Sequence, residues 1–323
     1  MKAYKKYFFY AGIVILLIGA YLVLDHFLFD GINPKNINQD GFVANYFAKE
    51  YTKKSTAVIM IGGGEWGDYW GGEFTKKGFV GLSLPYTRDD GLPKLPEEIP
   101  LEYFERAIKW LQKQAEVNPE KIVVMGASRN AELALVVAST FPELVSGAIA
   151  YAPSSVSWSN TVLPYNSDVI KASWKYKGKD IPYVPMGKIS GSNSTKINTL
   201  EYWESGLSRT NCVNQAAIKV ENINGPILLF SGKDDKVWPS SIMADMIEER
   251  IKENNFQHSF ENIQYINAGH LISSNPESKS DYRTSRITID GKDYELEYGG
   301  TSEGDTEAKK DAKIRVLDFI ENL

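Results

Sequence analysis

The chain has one cysteine, Cys212, and three histidines, His26, His258 and His270. A lone thiol excludes an intrachain disulfide and a cysteine-rich metal cluster. Blocks of like charge are missing too: acidic and basic residues are interspersed, the formal net charge is -5, and that balance gives no support for nucleic-acid binding. There is no internal repeat and no low-complexity tract. The glycine run Gly62–Gly64 lacks the Lys-Ser/Thr that follows a phosphate loop and the G-x-G-x-x-G spacing of a dinucleotide site. The expected chemistry therefore uses no metal and no cofactor.

One long apolar run is present. Lys2, Lys5 and Lys6 precede an uncharged, mostly apolar stretch from Tyr7 to Leu24, just long enough to cross a bilayer as a helix. Basic residues ahead of such a run stay on the cytoplasmic side. The expected organisation is a cytoplasmic basic flank (1–6), a transmembrane signal anchor (7–25), a polar, turn-rich linker (26–40) and an extracytoplasmic domain (41–323), held at the cell membrane by a single pass. Secretion after signal cleavage is the alternative, although no clear small-x-small cleavage site follows the run.

Beyond residue 40, strand and helix patterns alternate. Phe42–Glu50 reads as an edge strand, Ala57–Ile61 as a buried strand running into glycines, and Gly78–Tyr86 as another strand. Pro100–Glu116 forms an amphipathic helix with Tyr103, Phe104, Ala107, Ile108 and Leu111 on one face. Further strands fall in Lys121–Met125, Val145–Pro153, Gly225–Asp235 and Phe260–His270, with helices after Ser128, after Ser240 and over Glu307–Leu323. This alternation predicts an α/β layer fold with a mainly parallel sheet and helices on both faces. The stretch 153–224, rich in Ser, Asn, Tyr and Trp, is too long for a simple connection. It is expected to fold over the C-terminal edge of the sheet as a lid bearing the substrate pocket.

In "MGASRNAELAL", Ser128 stands between a β-branched strand and an apolar helix. Serine there is either a helix N-cap or the nucleophile of an elbow, G-x-S-x-G, in which a strained turn exposes the hydroxyl above the sheet. Gly126 is in place; Asn130 stands where the second glycine would be. A serine nucleophile needs a base and an acid to orient it. His270, in the glycine-containing loop after a strand, is the base by position; His258 precedes that strand, on the wrong side. For the acid, Asp234 and Asp235 follow a buried strand, and the usual spacing from Gly232 favours Asp235. The oxyanion would be held by the backbone N–H of Arg129 and by that of Gly64 or Glu65 in the glycine run.

The order Ser128, Asp235, His270 is that of α/β hydrolases. With "GGGEW", "LEYFERAIKWL", "SGKDDKVWPS", "NAGH" and "YGGTSEGDTEAKKDA", the chain resembles the C-terminal catalytic domain of acyl-CoA thioesterases and of bile acid-CoA:amino acid N-acyltransferase over nearly all of residues 40 to 323. The resemblance implies an α/β-hydrolase fold with Ser128 as nucleophile, Asp235 as acid and His270 as base. It departs at Asn130, and it leaves no room between apolar run and catalytic domain for the N-terminal β-sandwich of eukaryotic members. The expected function is a membrane-anchored serine hydrolase acting on a small-molecule ester or thioester. An acyltransferase using an amine or alcohol acceptor, and a non-catalytic binding protein whose elbow Asn130 has spoiled, are the alternatives.

Overall fold

A computed structural model describes residues 2–29, 34–49, 53–161, 169–189 and 194–323. Part of the expected linker (30–33) and parts of the expected lid (162–168 and 190–193) lie outside the described residues. The apolar run is helical within α1 (Lys2–Phe29). Its segment Lys6–Leu24, with a mean hydropathy of 2.3, is long and apolar enough to cross a membrane, and none of it is buried against the rest of the chain.

The first strands form a hairpin, β1 (Lys35–Gln39) and β2 (Phe42–Phe47). The sheet thus begins inside the stretch read as linker, and the edge position falls to β1, with β2 paired on both sides. The signal was faint because β1 is five polar-rich residues with only Ile37 buried. The chain then alternates through β3 (Ser55–Ile61), α2 (Gly64–Lys76), β4 (Val80–Leu84), a two-residue β5 (Ile99–Pro100), α3 (Glu102–Leu111), β6 (Val117–Ala127), α4 (Arg129–Thr140) and β7 (Gly147–Tyr151). After the insertion come β11 (Ile227–Gly232), α7 (Ser240–Glu253), β12 (Phe260–Tyr265) and the closing α8 (Ser302–Glu321). The sheet order is β1-β2-β4-β3-β6-β7-β11-β12, antiparallel among β1, β2 and β4 and parallel from β4 onward.

Alternation along buried strands sends neighbours to opposite faces. Ala57, Ile59 and Ile61 join Ile122 and Val124 beneath α3, α4 and α7. Val58 and Met60 join Val123 and Met125 beneath Trp70 and Phe74 of α2 and Ala308, Ala312, Val316 and Ile320 of α8. Both faces are covered, as a parallel sheet requires. All parallel strands point their C-terminal ends to one rim, where their following turns gather.

Two further units sit over that rim. The insertion contributes β8 (Trp174–Tyr176), β9 (Lys179–Asp180), β10 (Lys196–Ile197), α5 (Thr199–Leu207) and α6 (Thr210–Ala216). Its opening stretch is far from loose: Val156 and Trp158 are wholly buried with Val184, Met186 and Trp203. The second unit is a hairpin, β13 (Thr284–Ile289) and β14 (Lys292–Glu297), to which β10 adds a parallel edge. Asp290 and Gly291 turn it, both with positive φ (51° and 77°), as a two-residue hairpin loop demands.

Candidate active site

β6 ends against α4 so closely that a Cβ on Gly126 would stand 2.1 Å from the Asn130 carbonyl oxygen. Between them Ser128 takes φ 57° and ψ -124°, a conformation rare outside glycine. Its own N–H donates to the Tyr151 carbonyl on β7 (2.8 Å), and its carbonyl accepts from Ala131 (2.9 Å) and Glu132 (3.2 Å). Although it occupies the N-cap position, its side chain makes no capping hydrogen bond. The hydroxyl is turned instead toward His270, with Oγ 3.1 Å from Nε2.

His270 opens a short 3-10 turn, His270–Ser273, beyond the end of β12. Its Nδ1 lies 2.9 Å from Asp235 Oδ2. That carboxylate is buried and its remaining acceptor capacity is filled: Ser240 Oγ donates to Oδ2 (2.7 Å), and the N–H groups of Val237 and Trp238 donate to Oδ1 (2.9 and 3.2 Å). Asp234 faces the other way, accepting from Gly300 N–H (2.9 Å) and pairing with Lys236 (2.7 Å). Burial would raise its carboxyl, but Lys236 and the Gly300 amide outweigh that and hold it below the usual range. His258 precedes β12 at the opposite end of that strand, exposed beside Phe256. His26 lies on α1.

The glycine run has positive φ at all three positions, 99°, 58° and 64° for Gly62, Gly63 and Gly64. The Gly62 N–H is committed to the Leu84 carbonyl (2.9 Å) and that of Gly63 to Met60 (3.3 Å). Gly64 and Glu65 are the first residues of α2, and Arg129 is the first of α4. Amides in a first helical turn have no intrahelical acceptor, so all three expected oxyanion donors lack one. Asn130 leaves the elbow intact: it is helical, and its side chain projects toward Gly62 while Oδ1 accepts from Tyr86 (2.8 Å). Burial raises the Tyr86 phenol, which stays a donor.

Above Ser128 opens a cavity of about 510 Å³. Arg129 and Trp238 line it from the sheet side, Trp203 from α5, and Ile287, Leu296 and Tyr298 from the hairpin segment. The lid expected from residues 153–224 is therefore only half of the roof. The other half is the β13–β14 hairpin, whose sequence signal is the alternation around "IDG" at Ile289–Gly291. A second buried carboxylate lies close by, unmarked by any local sequence motif. Glu132, on the first turn of α4, is wholly buried, and burial raises its carboxyl against the pull of Arg129. Its Oε1 accepts from Ser157 Oγ (3.1 Å), Trp158 N–H (3.1 Å) and Trp174 Nε1 (2.8 Å), all from the insertion. Oε2 takes the Arg129 guanidinium, which also reaches Ser159 O (3.1 Å) and Ser173 Oγ (2.7 Å).

A mainly parallel sheet clad with helices on both faces, with a serine on a strand-to-helix elbow, is the architecture of the α/β hydrolases. Solved structures agree: a Klebsiella pneumoniae protein described as a dienelactone hydrolase superposes with a TM-score of 0.51 at 13% identity, covering 90% of this chain and 98% of that one. A puromycin-hydrolyzing peptidase from Mycobacterium tuberculosis gives 0.52 at 12% identity, over 90% of this chain and 39% of its own.

Within that fold class, residues 99–323 match the family described as BAAT / Acyl-CoA thioester hydrolase C terminal, and the chain belongs to it. Human acyl-coenzyme A thioesterase 6 is 27% identical over 245 residues, 75% of this chain and 53% of that protein. Mouse peroxisomal succinyl-coenzyme A thioesterase is 27% identical over 221 residues, 67% and 48% of the two. The chain spans about half the length of these curated relatives.

Proposed function

We propose that this chain is a serine hydrolase that cleaves a carboxylic ester or thioester through an acyl-enzyme. The observation that carries the reading is the continuous string from Ser128 Oγ through His270 to the buried Asp235 carboxylate. Serine is a poor nucleophile until a neighbouring base takes its proton. As Oγ attacks the carbonyl carbon, His270 Nε2 receives that proton, and Asp235 holds the Nδ1–H tautomer and balances the imidazolium. The developing oxyanion faces the N–H of Arg129 and that of Gly64 or Glu65. Collapse expels the alcohol or thiol, which takes the proton back from Nε2. Water repeats the sequence and releases the acid.

The thioesterase names of the relatives favour a thioester among the possible substrates. A fluorophosphonate probe tests the nucleophile: wild type is labelled and Ser128→Ala is not. Equal labelling of both overturns Ser128 as the nucleophile, and a wild type that takes no label returns the chain to a non-catalytic binding role. Following products while an amine or alcohol acceptor is titrated separates hydrolysis from acyl transfer.

The uncovered apolar run of α1 supports a single-pass anchor with the catalytic domain outside the cytoplasm, since Lys2, Lys5 and Lys6 precede that run. In that location free acyl-CoA would be scarce, so the acyl donor would differ from that of the relatives. Protease protection of intact cells, with cleavage of the domain only where it faces outward, checks the orientation.

A further inference from the structure

The base loop before His270 and the acid loop around Asp235 share one backbone hydrogen bond, from Asp234 N–H to the Ala268 carbonyl (3.0 Å), and a third segment, Tyr298–Thr301, is wedged against both. The Tyr298 carbonyl accepts from His270 N–H (2.9 Å) and from Lys236 N–H (3.4 Å), so one oxygen spans both loops. Gly299 bridges Asp235, and Thr301 N–H donates to the Asn267 carbonyl (2.8 Å). The fit is backbone on backbone: a Cβ on Gly269 would stand 2.4 Å from the Gly299 carbonyl carbon, and one on Gly300 would stand 2.3 Å from the Gly269 nitrogen.

One half-buried ion pair fastens this wedge. Asp305, on the first turn of α8, is wholly buried. Its Oδ1 accepts the N–H of Gly269, the residue before the base, at 2.8 Å. Its Oδ2 takes Arg283 Nη1 at 2.6 Å, and the same Nη1 reaches the Gly299 carbonyl at 2.8 Å. Arg283 also donates to Ser280 O through Nη2, and its own carbonyl accepts the Tyr298 N–H (2.9 Å). Neither side chain lines the cavity above Ser128.

We propose that Asp305 and Arg283 are positioning residues: their ion pair fixes the register of the wedge between the two loops and so sets the placement of His270 relative to both Ser128 and Asp235. Hydrogen bonds to an ionised carboxylate, from a backbone N–H or a guanidinium, are shorter and about twice as strong as neutral ones. Displacing a catalytic group by about 1 Å can cost on the order of 100-fold in rate. The pair acts on kcat through geometry and has no part in holding substrate.

This proposal rests on the serine-hydrolase reading, and one experiment distinguishes the two. Full-length wild type, Asp305→Asn and Arg283→Lys are compared for rate of fluorophosphonate labelling, for kcat and KM on a series of simple thioesters, and for thermal unfolding. Expected is a fall in kcat and labelling rate of about 10- to 100-fold in Asp305→Asn, with KM unchanged. Arg283→Lys, which keeps the charge but not the fork that reaches Gly299, falls in between. A wild type that is not labelled overturns the hydrolase reading itself. A labelled wild type with variants matching it in kcat overturns the proposal, as does a loss that only follows the folded fraction or appears in KM alone.

Discussion

The Asn130 side chain fills the space that a Cβ on Gly62 would need, with Nδ2 2.1 Å from that position. The elbow and the glycine turn are thereby matched to each other beside Ser128. Gly62→Ala, at φ 99° and against this amide, is expected to destabilise the domain by about 1–3 kcal/mol. Adding Asn130→Gly relieves the clash and leaves the backbone strain. Urea unfolding of the two single variants and the double reads the coupling; additive losses would show that the two residues do not meet.

The neighbours Asp234 and Asp235 offer a contrast within one loop. Asp235→Asn presents an amide to His270 Nδ1 and forces the imidazole into the tautomer whose Nε2–H cannot accept from Ser128, for a kcat loss on the order of 10⁴-fold. Asp234→Asn breaks only the contacts to Lys236 and Gly300, and its kcat is expected to stay within a few-fold of wild type. Steady-state assays of both variants decide; comparable losses would make the loop, rather than one carboxylate, the requirement.

Leu296 reaches the cavity from β14. Leu296→Ala deepens the roof on the hairpin side, and the ratio of kcat/KM for long over short acyl chains should rise by roughly tenfold. Profiling a graded acyl series checks it. An unchanged ratio would move the acyl chain away from the hairpin.

α2 and α8 are pinned by Glu73, which pairs with Lys313 (2.7 Å) and Lys76 (2.9 Å). Burial alone would raise this carboxyl, but the two ammonium groups outweigh it and hold it below the ordinary glutamate range. A depressed folded-state value means that the unfolded chain binds the proton more readily. The stabilisation is fully present above the ordinary range and is lost as pH falls through the depressed value. Glu73→Gln should flatten that part of the acid limb, by no more than about 1 kcal/mol, in thermal unfolding followed from neutral to acid pH.

The parallel strands and their helices were legible because burial on both faces leaves long β-branched runs such as Lys121–Met125, and because each helix carries an apolar stripe. Ser128, Asp235 and His270 were legible for a different reason: each follows a strand at the one rim. What the sequence concealed is short or two-sided. β1 buries a single side chain, and β13 and β14 alternate with charged residues on a small layer outside the main sheet. Asp305 and Arg283 read as ordinary polar positions, since nothing local marks a helix-start aspartate as the partner of a backbone amide thirty-six residues away.

Besides its pairing with β5, the insertion is tied to the body of the fold through one buried carboxylate. Three donors from that roof converge on Glu132, one helical turn beyond Ser128 on the helix that the elbow begins. The insertion half of the roof and Ser128 therefore have α4 as a common support. The contacts that seat this half of the roof thus end on the same helix that sets the direction of the Ser128 hydroxyl.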